Sequence, residues 1–150
     1  MFIERIVEGT PTGLRGWPAL VGAMVAEVRS GATEDQARGF FNTVGERLAR
    51  MAPVDDVEDA DVLRDRINAL WSTIDFGRVA FRFDDQGIDI HHEGLPHVLG
   101  TEDDGLWTSV LGQILEGAYG AWFRSLGSGS HLHTRVIGWT DRGVDLRHGL

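Results

Sequence analysis

Apolar residues recur along most of the chain at one of two periods, and the switch between them divides it into elements. From Trp17 the positions Leu20, Val21, Met24, Val25 and Val28 fall at helical spacing, with Pro18 tolerated in a first turn and Ser30-Gly31 as the stop. Thr33 stands three residues before Gln36 as in a capping box, and Ala37, Phe40, Phe41, Val44, Leu48 and Met51 continue one apolar stripe as far as Pro53. Leu63, Ile67, Leu70, Trp71 and Ile74 predict a third amphipathic helix, closed at Asp75-Phe76-Gly77. The period then drops to two. Val79, Phe81 and Phe83 alternate with Arg78, Arg82 and Asp84, the run Asp84-Asp85-Gln86-Gly87 has turn chemistry, and Ile88 and Ile90 resume the alternation, which predicts a β-hairpin.

Beyond Leu95-Pro96 and a loop rich in Gly and Asp, Asp103 or Asp104 is placed to cap a fourth helix running to about Leu126, where Gly127-Ser128-Gly129-Ser130 ends it. Leu132 to Trp139 predicts a strand, Asp141-Arg142-Gly143 a turn, and Val144 and Leu146 a short last strand. The first sixteen residues keep no sustained period and read as an arm. The expected fold is α+β: N-terminal helices, two antiparallel hairpins forming a small sheet, and a long apolar fourth helix. With 150 residues, one domain spanning 1–150 accommodates all of it.

That fourth helix is the unusual element. Its polar or small stripe holds Ser109, Gln113, Glu116, Gly117, Gly120 and Arg124, and the remaining two-thirds of its circumference is apolar, wider than a surface helix needs. Gly112, Gly117 and Gly120 each cost a helix about 1 kcal/mol relative to Ala, which suggests that another backbone comes close. The pattern therefore marks Trp107, Leu111, Leu115, Gly117, Ala118, Tyr119, Gly120, Trp122 and Phe123 as an expected subunit interface, most simply two-fold.

Composition narrows the chemistry. Fourteen basic against 23 acidic residues give a formal charge of -9, so the field repels phosphate backbones and nucleic acid is a poor partner. Cys is absent, which removes disulfides and thiolate chemistry. No secretory signal or run of roughly 20 apolar residues is evident, so the expected location is the cytoplasm. The acidic linker Asp55 to Asp61 lacks the glycine and spaced glutamate of a calcium loop and sits where helix N-termini favour negative charge. His91, His92, Glu93 and His97 form the one cluster that suggests a metal-dependent hydrolase, although neighbours on a strand point to opposite faces. His131 and His133 share a strand face and remain a weak flag. No phosphate loop, nucleophile elbow or cofactor motif appears, and no catalytic residue or metal ligand set is assigned. Trp71, Trp107 and Trp122 belong to apolar helical faces, whereas Trp17 and Trp139 are free either to pack or to lie against a sugar ring.

Four stretches carry a family likeness: Ile67-Asn68-Ala69-Leu70, Phe76-Gly77, His92-Glu93-Gly94-Leu95-Pro96, and, the most specific, Leu115-Glu116-Gly117-Ala118-Tyr119-Gly120-Ala121-Trp122. With them the chain resembles the D subunit of bacterial cellulose synthase operons, well from Leu63 to Arg124, more loosely back to Trp17, and poorly over the first sixteen residues and after Ser130. The resemblance implies an accessory protein without catalytic activity. It also implies a ring-like octamer built from dimers that helps nascent glucan chains assemble into cellulose fibrils, working with the synthase subunits and other accessory proteins at the inner membrane. In such proteins the N-terminal arms line glucan passages, which would bring Phe2, Ile3, Glu4 and Arg5 to the polymer. A generic oligomeric scaffold of another pathway shares the architecture without the glucan.

Overall fold

The computed structural model describes residues 16–96 and 104–150. Along the chain come α1 (Gly16–Gly31), α2 (Glu34–Ala49), α3 (Ala60–Thr73), β1 (Arg78–Asp84), β2 (Gly87–Glu93), α4 (Asp104–Ser125), β3 (His133–Trp139) and β4 (Gly143–Gly149). This is the mixed α+β order that the two periods predict.

Local side-chain chemistry sets several boundaries. Thr33 Oγ1 accepts the Gln36 N–H at 3.1 Å while Gln36 Oε1 accepts the Thr33 N–H at 3.0 Å, closing the capping box ahead of α2. In the acidic linker Asp59 caps α3 by accepting from Asp61 and Val62, and Asp56 pairs with Arg66 at 2.6 Å. After α3 the Phe76 N–H returns to the Trp71 carbonyl and the Asp75 N–H to Ser72, a Schellman end in which Asp75 takes the left-handed position at φ 58°. Gly127, at φ 97°, does the same after α4, with Ser128 bonded back to Phe123.

The two hairpins merge into one antiparallel sheet in the order β1-β2-β4-β3. β4 lies along the whole of β2, from Gly87 opposite Gly149 to Glu93 opposite Gly143. It is longer than the short strand expected through Val144 and Leu146. His148, polar yet turned inward, hides the third term of the alternation; it is buried against Phe123 and bonds Thr134 Oγ1 through Nδ1 at 2.8 Å. Between Val136 and Gly138 a bulge in β3 breaks the register and leaves Ile137 outside.

The sheet is apolar on one face and charged on the other. Val79, Ile90, His92, Val144 and Leu146 are buried with α4, whereas the opposite face carries Arg78, Arg82, Asp84, Asp89, His91, Glu93, Asp145 and Arg147. There Arg147 binds Asp84 and Asp89, each at 2.8 Å, and its guanidinium holds the Asp84 carboxyl well below the usual carboxylate range. At the β1 edge Asn68 of α3 takes the place of a neighbouring strand. Its Oδ1 accepts the Val79 N–H at 2.7 Å and its Nδ2 donates to the Val79 carbonyl at 3.0 Å.

Replacing Asn68 by Leu leaves both Val79 groups without their partner. The variant is expected to lose about 1–3 kcal/mol of stability in urea denaturation, against a smaller loss for Asn68→Asp, which keeps the acceptor.

Candidate functional site

The apolar girth of α4 points to a subunit contact, and the structure corrects that inference. Every residue from Val110 to Gly120 is buried inside the single chain, as are Trp107, Trp122 and Phe123. All nine positions expected at an interface are therefore core. The chain covers the helix from several sides: α2 lies along it, the sheet packs on it through β3 and β4, and α1 reaches it as well. The backbone that comes close is that of α2. A Cβ on Gly117 would overlap the Asn42 carbonyl, and one on Gly45 would overlap the Ile114 carbonyl, so the two glycines answer each other across the same contact.

The middle of the polar stripe, Gln113, Glu116, Gly117 and Gly120, faces inward too, while Ser109 and Arg124 near its ends are exposed. Glu116, only 8% exposed, receives the Arg38 guanidinium of α2 at 2.6 Å and the Val136 N–H of β3 at 3.0 Å. One carboxylate thus ties a helix and an edge strand to α4, and each oxygen has a donor. Sequence periodicity missed this role because Arg38 is 78 residues away along the chain and nothing local marks the pair.

On the apolar side a chain of hydrogen bonds crosses the core. Phe76 offers a carbonyl, so His92 Nε2, 2.7 Å away, must carry the proton, and Nδ1 is left as acceptor for the Tyr119 hydroxyl. The Trp71 N–H in turn donates to Tyr119 Oη at 3.1 Å. Rings of Trp71, His92, Tyr119 and Trp122 meet with centroids 5.1 to 6.1 Å apart, largely edge to face. Burial lowers the His92 pKa to about 4 and pushes the Tyr119 hydroxyl well up, so both are neutral near pH 7. Trp122 and Trp107 give their N–H groups to the carbonyls of Ala52 and Pro96.

The histidine cluster does not converge. His91 faces outward and bonds Asp145 at 2.7 Å with Glu93 at 3.5 Å on its other nitrogen, a setting that raises its pKa, chiefly through the Asp145 hydrogen bond. His92 faces inward with both nitrogens engaged, and His97 lies outside the described residues. Among the described residues no three His, Asp or Glu side chains come together as a metal site. His131 and His133 are both exposed, the first in the turn before β3. Trp17 is 63% exposed and Trp139 36%. Phe2, Ile3, Glu4 and Arg5 lie outside the described residues.

The polar atoms of His92, Tyr119 and Glu116 are engaged within the chain, whereas Gln113 Oε1 and His148 Nε2 are buried without a hydrogen-bond partner among the described residues. The family model for the D subunit of cellulose synthase matches residues 11–149, and the chain belongs to that family. It is thereby an accessory subunit in cellulose biosynthesis, and the match begins downstream of the four arm residues. No curated protein matches the chain significantly.

Ala at Gly45 or Gly117 gains helix propensity of about 1 kcal/mol yet drives a methyl into facing backbone. A net loss of about 2 kcal/mol or more in thermal or urea unfolding is expected, the opposite of Gly39→Ala, whose position is open. A second expectation concerns pH. The unfolded chain protonates His92 near pH 6.5 while the folded chain resists until about pH 4, so this stability is complete above 6.5 and is lost as pH falls through that window. The loss amounts to about 3 kcal/mol. His148, lowered by burial and by the charges of Arg124 and His133, adds in the same direction. His91, raised, opposes it, contributing below pH 6.5 and losing that contribution as pH rises through its folded value. Urea midpoints measured from pH 7.5 to 4.5 should fall for the natural chain and fall less steeply for His92→Gln.

Proposed function

We propose that the chain is a non-enzymatic, homo-oligomeric accessory subunit of the bacterial cellulose synthase machinery that organises glucan export and the assembly of chains into crystalline fibrils. The observation that carries this reading is the family match over residues 11–149. The closed hydrogen-bond networks around His92, Tyr119 and Glu116 support a structural use for groups that elsewhere serve catalysis. Copies of the chain form dimers within a ring, an octamer, in contact with synthase subunits and other accessory proteins. Among the described residues no helix is long and apolar enough to cross a membrane, and the proposed site of action is the cytoplasmic face of the inner-membrane synthase complex.

Cellulose is neutral, so a chain of charge -9 neither attracts nor repels it at long range. Guidance has to come from hydroxyl hydrogen bonds and contacts with sugar faces, weak one at a time and repeated by symmetry. Phe2, Ile3, Glu4 and Arg5 are the proposed glucan contacts. A polymer that must keep moving is served by such weak contacts.

Deleting the gene in a cellulose-producing cell is expected to reduce fibril crystallinity measured by X-ray diffraction, with recovery on re-expression, while the purified protein leaves cello-oligosaccharides intact with or without added zinc. Unchanged cellulose in the deletion, or turnover of the oligosaccharides, would overturn the proposal. Replacing Phe2 and Ile3 by Ser should lower crystallinity without altering the mass of the assembly in light scattering.

A further inference from the structure

Gly120 differs from the other close glycines of the helix pair. The atoms nearest to a Cβ built there belong to side chains, Arg124 Nη1 at 3.1 Å and Thr134 Oγ1 at 3.5 Å, whereas Gly45 and Gly117 meet backbone. Glycine weakens a helix interior, and here it leaves a cavity of about 200 Å³ open between α2, α4 and β3. Arg38, Arg124 and Arg135 line that cavity together with Glu46 and Glu116. Glu116 is satisfied by Arg38 and the Val136 N–H, and Glu46 meets Arg124 only loosely, at 3.5 Å. Three guanidiniums against two carboxylates leave one positive charge over, inside a chain whose formal charge is -9.

That surplus sits on Arg135. It has no carboxylate partner among the described residues, and it stands opposite Arg147 in the register of β3 with β4, a like-charge pairing that is unfavourable unless an anion answers it. Asn42 lines the cavity too. Its Oδ1 is buried without a partner among the described residues, which leaves Nδ2 as the end that can donate into the open space.

We propose that this cavity binds a phosphoryl group, carried by a free phosphate ion or by a phosphomonoester. Donors reach it from three elements: Arg38 and Asn42 from α2, Arg124 from α4, Arg135 and the Thr134 hydroxyl from β3. Convergence from three sides suits a tetrahedral anion, where a planar carboxylate would be gripped by one guanidinium fork. Thr134 keeps its bond to His148 meanwhile, since Oγ1, 2.8 Å from Nδ1, can accept from the imidazole and turn its own proton to the ligand. The volume is below the roughly 300–1,000 Å³ of pockets for drug-sized molecules, so the cavity takes the phosphoryl group and the remainder of an ester lies outside. Glu46 and Glu116 keep the binding weak and reversible.

Full-length protein titrated calorimetrically with inorganic phosphate, at constant ionic strength, is expected to show saturable one-site binding with a Kd of about 1 mM or tighter. Arg135→Gln should weaken it about tenfold or more with an unchanged circular dichroism spectrum. Arg142→Gln, which removes the same charge at the turn between β3 and β4, should leave it as it was. Gly120→Ala, which sets a methyl against Arg124 Nη1, is expected to weaken binding as well. A second titration, with adenosine monophosphate, identifies the source: tighter binding than phosphate assigns the site to a phosphomonoester, and weaker binding to the free ion. The absence of saturable binding, acetate binding as well as phosphate, or an Arg135→Gln variant that matches the natural chain would each remove the phosphoryl site.

Discussion

The approach of α2 to α4 is the constraint from which the rest of the domain follows. Gly45 and Gly117 let the two backbones meet where any side chain would collide with a carbonyl. Glycine in a helix interior costs about 1 kcal/mol, so the contact has to return more than that through close packing along two helices. It also fixes the rotation of α4. With Gly117 turned toward α2, Glu116 lies between Arg38 and the edge of β3, and Tyr119 points to the opposite side, where Trp71 and His92 receive it. A buried carboxylate without both donors would be a heavy penalty, which makes the position of β3 as dependent on this rotation as that of α2.

The sheet translates the same arrangement into two different surfaces. His91 and His92 are neighbours in sequence, yet one sits among carboxylates in water and the other in an aromatic interior, and their pKa values move in opposite directions. Inward, the histidine behaves as a neutral hydrogen-bonding spacer between Tyr119 and Phe76. Outward, the alternation of arginine and aspartate across β1, β2 and β4 forms a solvated network around Arg147. The edges are managed separately, by Asn68 at β1 and by Glu116 at β3, each supplying a side chain where a strand would otherwise be needed.

Placing α4 wholly inside the chain moves the question of assembly to another element. An accessory component of a synthase works through what it touches, and the largest apolar side chains left in water along a helix belong to α1. That helix is held to the remainder through Val25, with Val21 and Val28 packed beside it, and follows the N-terminal arm in sequence.

Local order was written plainly in the amino acids. The helical stripe from Ala37 to Leu48, the Thr33 and Gln36 box, the placing of the acidic linker at a helix N-terminus and the alternation from Val79 to Ile90 each depend on neighbours within a few positions, so periodicity and capping chemistry suffice to read them. The family likeness was legible for a related reason, since its most specific run, Leu115 to Trp122, lies in the helix that everything else packs against. What the chain alone did not disclose was the identity of distant partners. The excess of apolar surface on α4 signalled burial correctly and its cause wrongly, because burial by α2 and the sheet of the same chain leaves the same pattern as burial by a second copy. Arg38 with Glu116, Asn68 with Val79 and Gly45 with Gly117 were settled only once helices and strands had been brought together, since contact between residues 11 to 78 positions apart leaves no period in the sequence.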